Sequence, residues 1–257
     1  MMRKRHLSLI VLVGAGLLLA APAGASSVAK PARVVNGGNV SSTLGAGYLQ
    51  TPPSGTGVTV AETEVRVPQI TACANHSDTE QLWLGAAGYE GTAGTGADDL
   101  YAQVLAQCSN GIISYTARGN APGQAQQQAT VAPGDVIDCF FRDSSSGSVV
   151  QIFKIQKPFD AELVDIVGNP PSNGTGSLGS VLEGQQDLTT KIPLFTDLKT
   201  GKNAIYFLHS YVNGYVLGFD TYPTTVLNQV NNRLELKTSG LSGGSLNNFH
   251  LTFHSHY

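Results

Sequence analysis

Charge is scarce in this chain. Asp, Glu, Lys and Arg together make up 13% of its 257 residues, 15 basic against 18 acidic. Arg3, Lys4 and Arg5 stand at the very start, and no Lys/Arg cluster follows. The electrostatic footprint of a nucleic-acid binder is therefore missing. Long apolar runs are as rare. The one present, residues 7–21, is short for a membrane-spanning helix. With the basic start before it and Ala23-Gly24-Ala25 behind it, it reads as a signal peptide over residues 1–25. That predicts a secreted, extracellular chain with no membrane contact after cleavage. Amphipathic helical patterns and internal repeats are missing too, which argues against helical bundles and solenoids. Cysteine is limited to Cys73, Cys108 and Cys139. Their spacing fits no zinc pattern, and no cofactor or metal is expected. An exported chain with three cysteines suggests one disulfide and one leftover thiol. Cys108 with Cys139 is the expected pair, although all three pairings remain open. Tryptophan occurs once, at Trp83.

The chain is rich in glycine and small polar residues, and its period is two. Residues 26–42 have no period and read as a flexible leader. After them, GVTVAETEVRVP alternates, with Val58, Val60, Glu62, Glu64 and Arg66 on one side and Thr59, Ala61, Thr63, Val65 and Val67 on the other. DDLYAQVLAQC alternates as well. It puts Tyr101, Gln103, Leu105 and Gln107 on one face and Ala102, Val104, Ala106 and Cys108 on the other. A helix is the competing reading of that stretch. Further strand-like segments separated by Gly, Pro, Asn and Asp turns predict an all-β chain, a two-sheet antiparallel sandwich of jelly-roll type over residues 43–257. The closing strand places His250, His254 and His256 on one face, which permits metal binding but is the ordinary pattern of a polar terminal strand.

The order of segments resembles the secreted glutamic peptidases, the eqolisin family. AGYLQ (46–50), EVRVPQI (64–70), LWLGAAGYEG (82–91), YAQVLA (101–106), VAPGDVI (131–137), SVLEGQ (180–185), IPLFTDL and the closing LSGGSLNNFHLTFHS are similar, in order, to that family's strands. The resemblance implies a bent sandwich with a cleft on its concave face, and an acid endopeptidase acting on polypeptide, a monomer by expectation. It implies a catalytic pair at Gln103 and Glu183, with Trp83 in the substrate cleft. In such a pair the glutamate activates a water and then protonates the leaving amine, while the glutamine amide stabilises the oxyanion. Gln107 shares the face of Gln103 and is its runner-up. The pair requires Gln103 and Glu183 to come from neighbouring strands and face one cleft.

The chain departs from the family where supporting groups would sit. Ala87 replaces an Asp, and Arg118, Gly119 and Asn120 replace a Trp-Tyr-Glu run. Gly45, Gly179 and Ser180 replace further cleft residues. Arg118 near the cleft would hold Glu183 ionised and weaken it as an acid. The alternative to catalysis is an inactive sandwich that binds a peptide or glycan in the same groove. A structure with Gln103 and Glu183 on opposite faces favours that alternative.

Overall fold

The computed structural model describes residues 38–42, 45–51, 57–73, 79–88, 100–170, 181–186, 192–216, 224–231, 233–243 and 247–254. The expected signal peptide, most of the expected leader, and Gly179, Ser180 and His256 lie outside the described residues. Every described element is a strand, and no described helix is long and apolar enough to cross a membrane.

One half of the fold is built from β2 (Gly45–Gln50), β5 (Thr79–Gly88), β6 (Tyr101–Ser109), β7 (Ile112–Asn120), β8 (Gln127–Thr130) and β12 (Val181–Gln186). They lie side by side in the order β2-β12-β5-β6-β7-β8. The other half holds β3 (Val60–Arg66), β9 (Val136–Ser144), β10 (Gly147–Lys154), β11 (Ala161–Gly168) and β14 (Ala204–Val212), in the order β11-β10-β9-β3-β14. Three strands, β18 (Phe249–Phe253), β17 (Arg233–Thr238) and β16 (Thr224–Asn231), join β14 to β2 and make one continuous hydrogen-bonded path. The short β15 (Tyr215–Val216) pairs with β14, and β4 (Gln69–Ala72) with β13 (Leu194–Thr196) forms a separate two-stranded sheet. Pairing is antiparallel apart from β1 (Asn39–Ser42), which lies parallel to β16. The end of the expected leader is thus a strand.

The path folds over on itself. β7 packs over β10 and β11, β6 over β9, and β5 over β3 and β9. This is the all-β, sandwich-like architecture that the two-residue period predicts. The inner layer takes one face of each strand: Leu82, Leu84 and Ala86 from β5, Ala102, Val104 and Ala106 from β6, Ala61 and Val65 from β3, and Ile137, Cys139 and Phe141 from β9. Strand β6 is a strand and not a helix, because its alternate small residues fill this layer. The packing also decides the disulfide. Cys73, just after β4, bonds to Cys108 with their Cα atoms 5.8 Å apart. Cys139 remains a free thiol inside the opposite half, so the expected Cys108–Cys139 pair does not form. Burial, and then the charge of Asp138 next to it, push its thiol well above the ordinary range.

Candidate functional site

In an antiparallel ladder, directly opposed residues share a face. Gln103 on β6 opposes Gly85 on β5, and Gly85 opposes Gly184 on β12. Gly184 in turn opposes Gly47 on β2. On the other side Gln103 opposes Arg118 on β7, and Arg118 opposes Gln128 on β8. One row therefore runs Gly47, Gly184, Gly85, Gln103, Arg118, Gln128 across six strands. Trp83, Leu105, Tyr101, Ala87 and Leu182 share its face, the side turned away from the inner layer.

Glu183 belongs to the adjacent row. It opposes Ala86 and Tyr48, and Ala86 opposes Ala102. Those three partners are core residues of the inner layer. Glu183 is fully buried among them. Gln103 and Glu183 thus lie on opposite faces of the same half, with β5 between their strands. They are neither on neighbouring strands nor turned to a common cleft. Arg118 shares a face with Gln103, not with Glu183, so it is not positioned to tune the Glu183 carboxyl. The residue that stands across Gly85 from Gln103, about 9–10 Å away at two strand spacings, is Gly184.

The local reason is a line of glycines. Gly47, Gly184 and Gly85 have φ of 141°, 148° and 147°. A Cβ on Gly184 would lie 2.3 Å from the Ala46 carbonyl oxygen, and one on Gly85 2.4 Å from that of Ala102. Glycine inside a strand marks such close approach of backbones, and kinks of this kind let a sheet bend. The signal was present in the sequence as glycines inside three strand-like segments. It names a site only once the three segments are in register.

The face around Gln103 is recessed and almost neutral. Gln103 is 3% exposed, Trp83 8% and Leu105 1%. Trp83 Nε1 donates to Gln81 Oε1 at 3.0 Å, and Tyr101 meets the indole edge-on with ring centroids 6.1 Å apart. The Arg118 guanidinium lies over the indole, 5.4 Å from the ring centroid, at cation–π distance. Gln107 opposes Gln81, both half-buried, and the exposed Ser114 at the margin. Among the described residues of β2, β12, β5, β6, β7 and β8, no Asp, Glu, His or Cys falls on this face. It can donate and accept hydrogen bonds through amides and hydroxyls and stack on two aromatic rings. Among the described residues of these strands it offers no carboxylate or imidazole that can take up a proton from an attacking water.

Titratable groups gather elsewhere. On the outer face of the other half, Glu62 and Glu64 of β3 lie beside Asp138 of β9, and His209 Nδ1 is 2.8 Å from Glu64 Oε1. Burial, then the charges of Glu62, Glu64 and Asp160, raise Asp138 to about 7, against a smaller opposing effect of His209. Of the closing histidines, His250 packs against Tyr206 with centroids 5.4 Å apart, and burial lowers its pKa. Among the described residues no group of three His, Cys, Asp or Glu is placed to hold a metal ion.

No family model matches the chain, and no characterised protein matches it by sequence. Solved structures match it by shape. Scytalido-glutamic peptidase with a transition-state analog inhibitor superposes with a TM-score of 0.56 at 14% identity, over 83% of this chain and 98% of that one. The same peptidase with a peptide-based transition-state analog gives 0.56 and 14%, over 82% and 100%. The chain therefore shares the glutamic-peptidase fold across nearly the whole length of those structures, as a distant relationship of fold.

Proposed function

We propose that this protein binds an extended polypeptide on the Gln103–Trp83–Arg118 face of a glutamic-peptidase-like fold, without hydrolysing it through a Gln103/Glu183 pair. The observation that carries this reading is the register. Gly184 is the residue across Gly85 from Gln103, and Glu183 turns to the inner layer. A general base must come within hydrogen-bonding reach of the water it activates, directly or through one more water. A carboxyl on the far side of the sheet does not meet that condition. Polypeptide is the favoured ligand because both structural neighbours hold transition-state analogs, one of them peptide-based. The glutamine amides on this face match the alternating donors and acceptors of an extended main chain.

The second reading is acid endopeptidase activity with Gln103 and Glu183 as the catalytic pair. The likeness to peptidase complexes over four-fifths of the chain favours it. One experiment separates the two. The purified protein and its Gln103→Ala and Glu183→Gln variants are incubated with unfolded protein substrate from about pH 2 to 7, acid being where a glutamate acid-base works. The binding reading expects no cleavage that depends on either residue, with retention of unfolded polypeptide that weakens in Gln103→Ala. Cleavage by the native protein that both substitutions abolish would establish the peptidase reading and remove this one.

A further inference from the structure

Arg118 is the only charged side chain that the described strands β2, β12, β5, β6, β7 and β8 place on the Gln103 face. It makes no ion pair with any described residue, and its buried Nε has no hydrogen-bond partner there. The guanidinium is held instead by the Trp83 ring. A cation stacked on an indole keeps its in-plane N–H donors free to point outward. Directly opposite it stands Gln103, whose amide adds a neutral donor. The half-buried guanidinium lies beside the buried Gln103 and Trp83, and among the described residues of these strands no carboxylate competes for it.

We infer that this face selects a polypeptide segment carrying a carboxylate, with Arg118 as the anion-recognising residue and Gln103 as its neighbouring donor. The inference rests on the reading of this face as the ligand-binding one. A planar fork that is already oriented loses little freedom on meeting a carboxylate, and such charge-assisted bonds are short and strong. The carboxylates of Glu62, Glu64 and Asp138 lie on the outer face of the other half, not on this one.

Trp83 is the sole tryptophan, which makes its fluorescence a direct reporter of Arg118. The full chain is titrated with a Ser/Glu peptide, a Ser/Gln peptide of equal length, a Ser/Lys peptide and polygalacturonate, at low and high salt. The expected result is a Trp83 signal with the Ser/Glu peptide at an affinity about ten-fold above that of the Ser/Gln peptide. Added salt should shrink that preference. Arg118→Gln should abolish the preference, so that this variant binds the Ser/Glu and Ser/Gln peptides equally, and Arg118→Lys should retain part of it. If Arg118→Gln does not fold, Arg118→Lys and the wild-type comparison still decide. Equal binding of all three peptides would overturn the anion preference and leave the groove reading standing. No response to any peptide would remove both. A response to polygalacturonate alone would overturn the inference in favour of an acidic glycan.

Discussion

At the scale of single residues, Gln103 and Glu183 show how much one position of register decides. The alternation of β6 told which residues would line the inner layer, and Ala102, Val104 and Ala106 do line it. It also put Gln103 on the other face with Leu105, correctly. For β12 the sequence offered no comparable pattern, because Leu182, Glu183, Gly184 and Gln185 are all buried. A strand buried on both faces has no polar side to reveal its phase. The resemblance supplied a role for Glu183, but the role depends on a phase that only the ladder with β5 shows. Gln103→Ala should therefore weaken peptide binding by roughly three- to ten-fold, the value of one or two hydrogen bonds, as read by Trp83 titration. Glu183→Gln should leave that titration unchanged and appear instead as a shift in Tm. Loss of binding in Glu183→Gln at unchanged Tm would contradict the placement of Glu183 in the inner layer.

At the scale of elements, the glycine row carries the argument. Gly47, Gly85 and Gly184 come from segments far apart in the chain, so their alignment is a property of three pairings and not of any local motif. The same is true of two other features that the sequence left open. Asn39–Ser42 becomes strand only because β16 offers it an edge. Cys108 finds Cys73 only because the segment after β4 passes beside the end of β6. Strand identity was legible from the two-residue period, whereas long-range partners were not. The row predicts a clear ordering of glycine substitutions. Gly184→Ala and Gly85→Ala force a methyl group within 2.3 and 2.4 Å of a carbonyl oxygen on the adjoining strand. Each should cost about 3 kcal/mol or more, since backbone strain and steric overlap add. Gly201 has φ of 64° and nothing within 4 Å of an added Cβ. Gly201→Ala should cost only about 1 kcal/mol, the left-handed penalty alone. Urea denaturation of the three variants measures the ordering, and equal costs would show that the row is not a close approach of backbones.

At the scale of the whole molecule, stability should depend on the oxidation state and on pH. The Cys73–Cys108 bond spans 35 residues, and chain-entropy reasoning gives it about 3–4 kcal/mol. Reduction should lower the denaturation midpoint accordingly, while the buried Cys139 should resist alkylation until the fold opens. The pH dependence follows from carboxyls that the fold keeps protonated. Asp138 is raised to about 7 by burial first and by Glu62, Glu64 and Asp160 after it. Asp143 is raised to about 6 by burial, partly offset by the Ser144 backbone. Glu62 is raised in the same direction, by burial and by Glu64. A raised folded pKa means that the folded state binds the proton more tightly than the unfolded one. The stabilising contribution is then fully present below the unfolded value near 3.8 and is lost as pH climbs through the folded value. These groups therefore make the protein more stable at pH 4 than at pH 7. With each pKa unit equivalent to about 1.4 kcal/mol and a discount for partial exposure, the difference is on the order of 2 kcal/mol. For a chain of this size that is roughly 4–8 °C in Tm. Asp138→Asn should flatten most of the profile, because an amide has no proton to lose, and should leave stability at pH 4 nearly unchanged. A wild-type Tm that rises between pH 4 and pH 7, or an Asp138→Asn profile as steep as the native one, would contradict the burial of these carboxyls.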